Sequence, residues 1–447
     1  MKSTTKKLTL FALTWPIFVE ISLHMLMGNA DTLMLSQYSD DSVAAVGISN
    51  QILSLIIVMF GFVATGTSIL VAQYLGADKQ KSASEIAVVS IIANLIFSLI
   101  LSALLFIFDD KILLLMDLPP ELLPEATIYL QIVGGLSFIQ AVIMTLGAVL
   151  RSYSFTKDAM FVTLGMNIIN VAGNYIVIFG AFGFPVLGVE GVAYSTAISR
   201  LIGLIVLFIL LIRRIDGGLP FFSLFSLPVS HLKNLLKIGV PSAGEQLSYN
   251  ASQLVITAFI ASLGTEAITT RVYTLNIMMF IFLFAISIGQ GTQIIIGHMV
   301  GAGKYKEAYK RGIKSLKIAI IISFAMALIF SVFSETLLGI FTSNEDILFL
   351  GSILIYLTII LEPGRSFNLV VINSLRAAGD VKFPVYIGIF SMWGVAVLFA
   401  YLLGIVFGLG LIGIWIAFIL DEWLRGILML RRWKSRVWVQ KKFAQPE

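Results

Sequence analysis

Long runs of apolar residues, separated by short polar or charged connections, dominate the pattern of the chain. Each run reaches the roughly 20 residues that an α-helix needs to cross a bilayer core of about 30 Å. Cutting the chain where charges or clusters of Gly and Pro interrupt the runs predicts twelve transmembrane helices. Their expected bounds are 8–35, 43–74, 84–108, 125–150, 159–181, 187–212, 234–262, 269–299, 314–340, 348–375, 384–406 and 410–431.

The alternation of apolar and polar residues that is typical of a transmembrane barrel is missing from these runs. Helices are therefore expected to satisfy the backbone hydrogen bonds within lipid. Lys6 and Lys7 lead directly into an apolar run that is too long for a cleavable signal sequence. The predicted fold class is all-α integral membrane.

Composition supports this class and excludes others. The chain is 58% hydrophobic and only 12% charged, against a usual quarter, and its mean hydropathy is +0.97. It has no cysteine, which excludes disulfides and thiolate metal sites. No phosphate-binding loop, zinc-protease or serine-hydrolase motif is present, so neither an enzyme nor a bound cofactor is predicted. Energy for any transport is then expected from an ion gradient.

Basic residues occupy alternate connections between the predicted helices, and acidic residues occupy the others. The basic connections contain Lys2, Lys6 and Lys7; Lys79 and Lys81; Arg151 and Lys157; Arg213 and Arg214; Lys304 to Lys314; Arg376 and Lys382; and Arg431 to Lys442. The positive-inside rule then places both termini in the cytoplasm of a cell with the chain in its plasma membrane, the inner membrane of a bacterium. The net charge of +5 reflects this topology, and no nucleic-acid partner is predicted.

The second half of the chain repeats the first at a shift of 225 residues. The shift aligns Pro16 with Pro241, Glu20 with Glu245, Gly76-Ala77 with Gly301-Ala302, Leu150-Arg151 with Leu375-Arg376, Lys157 with Lys382 and Arg200 with Arg425. Because each half has six helices, this is a parallel repeat with a pseudo-two-fold axis along the membrane normal. We predict an N-lobe at 1–212, a cytoplasmic linker at 213–233 and a C-lobe at 234–447. Two lobes that can move relative to each other are typical of transporters.

The first predicted helix carries Glu20, His24 and Asp31, spaced so that all three lie on one stripe. A carboxyl group at the bilayer centre costs about 2.5–3.5 kcal/mol on insertion scales, so the stripe is expected to face the lobe interior or a wet cavity. Proton relays in membranes are built from these residue types, which makes all three candidate coupling residues. The alternative is a structural network in which Glu20 and His24 satisfy each other.

Three polar residues in the fifth and sixth helices are candidate partners of Asp31: Asn170, Asn174 and Thr196. If they converge on Asp31, their oxygens could hold Na⁺. A single carboxylate among neutral oxygens is a weak Na⁺ site, so H⁺ is the favoured coupling ion. In the other interpretation the Asn and Thr side chains only link helices.

The C-lobe repeats the first-helix glutamate as Glu245, but Tyr249 replaces the histidine and Ile256 replaces the aspartate. The two lobes are therefore expected to differ chemically. Together with Glu362 and Arg365 of the tenth helix, Glu245 and Tyr249 are candidate substrate-cleft residues.

Glu362 and Arg365 stand three apart on one helix face and are predicted to pair. In one interpretation that pair is purely structural. In the other, Glu245 competes with Glu362 for Arg365 when substrate or protons bind and are released. Asp421 and Glu422 of the last helix are further acidic residues within an apolar run.

Several segments resemble the multidrug and toxic compound extrusion (MATE) family, and the similarity extends over all twelve predicted helices. They are ADTLML with DSVAAVG, GFVATGTSILVAQYLGA, GFPVLGVEGVAYST and NSLRAAGDVKFP. The resemblance implies an antiporter that exports amphipathic, often cationic, organic compounds in exchange for H⁺ or Na⁺. It also implies that Asp31 is the aspartate of an N-lobe cation site, with Asn170 and Thr196 as partners.

This sequence departs from the family pattern at several positions. Asn174 stands where many members carry a second Asp. Glu245 lies four residues after its proline rather than the eight typical of the NorM-type branch, and Arg365 replaces that branch's tenth-helix Asp. The resemblance therefore implies that coupling lies mainly in the N-lobe.

The main hypothesis is a monomeric, proton-driven exporter of a small organic molecule. A flippase for a lipid-linked precursor is the alternative, but it would need a basic cleft that only Arg365 and Arg271 could supply. A passive channel, a scaffold or a membrane enzyme would not explain buried titratable groups in two mobile lobes.

Overall fold

The computed structural model describes residues 9–116, 118–215, 218–221 and 228–444, which are helical apart from short connections. Twelve helices match the twelve predicted spans, and this confirms the all-α membrane fold. They are α1 (Leu10–Ser36), α2 (Asp40–Gly76), α3 (Gln80–Leu115), α4 (the bent pair Leu123–Gly134 and Ser137–Ser152), α5 (Thr156–Phe179), α6 (Gly188–Arg214), α7 (Val229–Ser262), α8 (Thr265–Gly301), α9 (Tyr305–Val332), α10 (Glu345–Ala377), α11 (Lys382–Val406) and α12 (Gly410–Lys434).

Most helix bounds agree with the prediction to within a turn, but those of α3, α7 and α9 do not. α3 continues to Leu115 rather than 108 and α7 begins at Val229 rather than 234, because polar and charged residues beyond the apolar runs are helical as well. α9 begins at Tyr305 rather than 314, because the basic segment before its apolar run is helical as well. It ends at Val332, and a short separate helix, Ser334–Gly339, follows. α4 is bent by 40° at its break. Of the predicted linker, residues 216–217 and 222–227 lie outside the described residues, as do Lys2, Lys6 and Lys7.

Within the described ranges, nine helices are long and apolar enough to cross a membrane, or ten if the bent α4 counts as one span. The other two are α7 and α12, which are more polar. α12 carries Asp421, Glu422 and Arg425 within two turns. Asp421 and Arg425 are nevertheless buried, so these charges face protein rather than lipid.

The chain folds into two compact units. The N unit comprises Val19–Val71 and Lys79–Gly239, and the C unit comprises Met1–Phe18, Ala72–Asp78 and Val240–Glu447. The predicted lobe limits at 212 and 234 remain a prediction.

In the N unit, polar side chains link helices that are otherwise packed through apolar contacts. Asn94 of α3 donates to Thr145 Oγ1 of α4 over 2.7 Å, and Asn167 of α5 donates to the carbonyl of Leu23 in α1 over 2.9 Å. Such hydrogen bonds hold helices together where lipid offers no competing partner. The second of them places α5 beside α1, which is the pair of helices that carries the candidate site.

In the C unit, α10 packs against α8, α9 and α12. The ends of α2 and α8 approach so closely that only glycine fits at two positions that the repeat relates. A Cβ atom on Gly76 would collide with the carbonyl of His298, and one on Gly301 with the carbonyl of Gln73. Gln73 Oε1 also accepts hydrogen bonds from the backbone N–H groups of Phe443 and Ala444. These bonds attach the last described residues to α2.

Candidate functional site

Asp31 lies on α1 inside the N unit and is 5% exposed. Its Oδ1 accepts a hydrogen bond of 2.5 Å from the side-chain amide of Asn174 on α5. Among the described residues, none forms an ion pair with Asp31. The carboxyl group therefore meets a neutral donor, while the charge of Arg200 acts on it from a greater distance.

The other two predicted partners continue from Asn174 in a chain of hydrogen bonds. Asn174 Nδ2 also donates to Asn170 Oδ1 over 3.5 Å, and Asn170 Nδ2 donates to Thr196 Oγ1 of α6 over 3.2 Å. Both asparagines and Thr196 are buried. The structure thus brings together all four residues that the sequence proposed as a cation site. Asn174 Oδ1 is buried and has no partner among the described residues.

Gly173 explains how α6 comes close enough to complete this chain. A Cβ atom at this position would collide with Ser195 Oγ. That hydroxyl instead donates to the backbone carbonyl of Asn170 over 3.0 Å. The absence of a side chain at Gly173 therefore sets the spacing between α5 and α6.

The charge of Glu20 is neutralised by Arg151 rather than by His24, the partner considered from the sequence. Its Oε1 accepts a hydrogen bond of 2.6 Å from Arg151 Nη1, at the end of α4. His24 follows one turn later on α1. Glu20, Arg151 and Arg200 are the charged residues that interact electrostatically with its imidazole. The structure thus pairs Glu20 with Arg151 through Oε1, whereas Oε2 is buried and has no hydrogen-bond partner among the described residues.

Glu245 has the equivalent partner in the C unit. Its Oε2 accepts from Arg376 Nη2, at the end of α10. The predicted competition between Glu245 and Glu362 for Arg365 is not what the structure shows. Glu245 is paired with Arg376 instead, because the end of α10 lies beside Glu245 of α7.

The predicted pair of Glu362 and Arg365 is confirmed, with 2.8 Å between Oε1 and Nη1. Glu362 is fully buried, and its Oε2 has no hydrogen-bond partner in the described part of the chain. Arg365 also lies 3.7 Å from Glu422 of α12. Glu422 in turn lies 3.1 Å from Arg425, so the pair belongs to a wider charged network.

Tyr249, the remaining candidate, is 39% exposed and lines a cavity in the C unit together with Arg365. The two lobes differ as expected at the position that the repeat relates to Asp31. Ile256 stands there, fully buried in an apolar cluster with Leu361 and Trp415. The C unit therefore has no counterpart of the Asp31 carboxyl group at this level.

Three arginines are important neighbours that the sequence interpretation did not assign: Arg151, Arg376 and Arg200. The signal was available in the repeat, which aligns Arg151 with Arg376 and Arg200 with Arg425. Arg151 and Arg376 were interpreted only as cytoplasmic basic residues, because helix ends are where the positive-inside rule places them.

Comparisons with known proteins agree with the fold and identify the family. The sequence matches the MatE family over residues 16–176 and 241–402. It is 58% identical to the uncharacterized transporter YisQ of Bacillus subtilis over 99% of this chain and 97% of that protein. It is 27% identical to the probable multidrug resistance protein NorM of Thermotoga maritima over 97% of this chain and 93% of that protein.

Solved structures share the fold. An outward-facing multidrug resistance MATE family transporter of the MOP superfamily superposes with a TM-score of 0.88 at 21% identity, over 99% of this chain and 100% of that one. A MOP superfamily transporter from Pyrococcus furiosus, described as having a binding pocket of reverse polarity, superposes with a TM-score of 0.87 at 22% identity, over 99% and 100%. The chain therefore belongs to the MatE family of membrane transporters.

Proposed function

We propose that this transporter is a proton-coupled antiporter that exports amphipathic or cationic organic compounds from the cell. In this proposal the chain acts as a monomer in the plasma membrane, with both termini in the cytoplasm, and works by alternating access. The relatives named as probable multidrug resistance proteins support the export of drugs.

The observation that carries the proposal is the environment of Asp31. A buried carboxylate without an ion-pair partner is unfavourable when charged, because the more distant Arg200 offsets its desolvation only in part. The group can remove this penalty by binding a cation from outside, and release of that cation restores it. Asp31 is thus suited to bind and release a coupling ion.

The donors around Asp31 favour H⁺ over Na⁺. A Na⁺ ion needs several oxygen ligands, but here an amide N–H of Asn174, rather than an oxygen, faces Asp31 Oδ1, and Asn170 Oδ1 already accepts from the same amide group. The set has one carboxylate, so it supplies only one full negative charge. A proton requires no such coordination shell, and it neutralises Asp31 directly.

In the proposed cycle, a proton from outside neutralises Asp31 and thereby removes the demand for the Asn174 donor. The hydrogen-bond chain from α1 through α5 to α6 then rearranges, and the lobe arrangement that has lower affinity for the compound is favoured. The compound drives or opposes this change only through its different affinity for the two arrangements. Release of the proton to the cytoplasm resets the transporter.

The flippase alternative has less support. A pyrophosphate group would need uncompensated basic residues, yet Arg365 is paired with Glu362. The remaining candidate, Arg271, is a single cation.

Reconstituted vesicles test the proposed function directly. Purified protein is given either a pH gradient or a Na⁺ gradient, and the movement of ethidium is followed by fluorescence. We expect transport with the pH gradient and none with the Na⁺ gradient alone. Ethidium flux that persists after both gradients are collapsed would show a channel rather than an antiporter, and transport driven by Na⁺ alone would overturn the choice of H⁺.

A further inference from the structure

The C unit contains a cavity of ≈ 90 Å³ that the coupling site does not use. Helices α7, α8, α10, α11 and α12 line it, and its charged residues include Arg271, Arg365, Asp421, Glu422 and Arg425. Drug-sized ligands occupy pockets of roughly 300–1,000 Å³, so this cavity has room for only a small part of such a molecule. Its charges are distributed unevenly.

One end of the cavity is positive because the charge of Arg271 is not compensated. Its guanidinium donates to Thr257 Oγ1 over 2.5 Å and to Gln253 Oε1 over 3.2 Å, and both acceptors are neutral. No described carboxylate forms an ion pair with it, and its Nε is buried without a partner. A guanidinium has five N–H donors; two are used and the Nε–H is buried, so two terminal N–H groups remain for a ligand.

The other charges of the cavity belong to a group with one more carboxylate than guanidinium, in which Glu362 does not itself line the cavity. Glu362, Asp421 and Glu422 share Arg365 and Arg425. Asp421 accepts from Arg425 and from Ser391, each over 2.5 Å, and Glu422 accepts from Asn368 over 2.8 Å. Because Arg365 pairs with Glu362, the two carboxylates that line the cavity, Asp421 and Glu422, have Arg425 as their close cation.

We propose that the cavity binds the zwitterionic head group of a transported compound. A carboxylate on the ligand receives hydrogen bonds from Arg271, and an ammonium group is attracted by the excess negative charge at Asp421 and Glu422. Carboxylate recognition by arginine is directional and stronger than a neutral hydrogen bond. The inference rests on the proposed export function, and it adds to the expected substrates those compounds that carry both charges at one end.

Binding to the purified full chain in detergent tests this inference without any gradient. The probes are three zwitterions of increasing charge separation, namely glycine, 3-aminopropanoate and 4-aminobutanoate. Propanoate supplies the negative charge alone, and propylammonium supplies the positive charge alone. We expect at least one zwitterion to bind at least tenfold more tightly than either single-charge probe in a calorimetric titration.

Two variants alter the positive end in different ways. Arg271→Gln removes the charge, whereas Gln253→Glu keeps Arg271 and gives it a carboxylate partner of unchanged shape. Both are expected to weaken binding of the preferred zwitterion at least tenfold. The control is Arg214→Gln, which removes a guanidinium that pairs with Asp158 in the N unit, and it is expected to leave binding unchanged.

The outcomes separate the inference from the proposed function. Absence of zwitterion binding, equal or tighter binding of propanoate or propylammonium, or unchanged binding in the Gln253→Glu variant would each overturn the inference. If instead a zwitterion binds as expected while proton-driven ethidium transport is absent, the cavity is supported and the antiporter proposal fails.

Discussion

The carboxylate of Glu20 accepts a hydrogen bond of 2.6 Å from the guanidinium of Arg151, which lies 131 residues later in the chain. Glu245 and Arg376 repeat this relationship with the same separation of 131 residues. Each glutamate follows a proline within its helix, Pro16 in the first case. The first helix of each half is thus tied to the end of the fourth by a guanidinium, close to the point where proline removes a backbone hydrogen bond.

The first prediction concerns the stability that the Glu20–Arg151 pair contributes. Both side chains are largely buried, so Arg151→Gln leaves Glu20 as an uncompensated charge and is expected to destabilise the protein by about 3–5 kcal/mol. The readout is the melting temperature in detergent, followed by tryptophan fluorescence. The double variant Glu20→Gln with Arg151→Gln is expected to recover most of the loss, because no charge is then left alone. A single variant that melts like the wild type would show that the pair contributes nothing.

The second prediction assigns coupling to Asp31. Asp31→Asn preserves the size of the side chain but cannot take up or release a proton, so proton-driven ethidium efflux is expected to fall at least tenfold while the protein still folds. Efflux is measured in vesicles and folding by size-exclusion chromatography. Asp158→Asn is the matched control, because Asp158 is an acid of the same unit that pairs with Arg214 at the surface. Efflux that is equally fast in the Asp31 variant would contradict the assignment.

The third prediction concerns ion selectivity. Asn174→Asp places a second carboxylate beside Asp31 and next to the side-chain oxygen of Asn170. Two carboxylates with neutral oxygens form a much better Na⁺ site than one. We therefore expect ethidium efflux by this variant to be stimulated by a Na⁺ gradient that has no effect on the wild type. A variant that remains insensitive to Na⁺ would show that the geometry around α5 does not admit the ion.

The fourth prediction distinguishes the two members of the Glu362–Arg365 pair. Arg365→Gln leaves the fully buried Glu362 without its partner, and the expected destabilisation is about 3–5 kcal/mol. Glu362→Gln is expected to be milder, because Arg365 still lies 3.7 Å from Glu422. Melting temperatures of the two variants test the order. Equal losses of stability would mean that the pair does not stabilise the protein by neutralising the buried charge of Glu362.

The fifth prediction concerns the spacing of α5 and α6. Gly173→Ala introduces a Cβ atom that collides with Ser195 Oγ, and overpacking of this kind costs about 1–3 kcal/mol. Removing the hydroxyl in the double variant Gly173→Ala with Ser195→Ala is expected to restore part of the stability. Thermal melts of the single and double variants measure the effect. If the second substitution adds to the loss instead, the clash is not the cause.

The candidate site could be predicted from the sequence to different extents at different residues. Asp31, Asn170, Asn174 and Thr196 were proposed as one cluster, and the structure brings them together. For Glu20 the sequence suggested only His24 as an alternative partner, because His24 is near along the chain, whereas Arg151 is near only after α4 has packed against α1. The unbalanced charge of Arg271 was also not evident, since compensation depends on which side chains surround a cation.

The sequence alone determined the twelve helices, their membrane class and the repeat, because hydropathy and spacing are properties of neighbouring residues along one chain. The equivalence of Glu20 with Glu245 and of Arg151 with Arg376 followed from the same linear comparison. Only the tertiary structure decided which buried acids have a cationic partner and which do not. That outcome depends on the packing of helices more than a hundred residues apart, and it gives Glu20 an arginine partner while Asp31 has no ion-pair partner among the described residues.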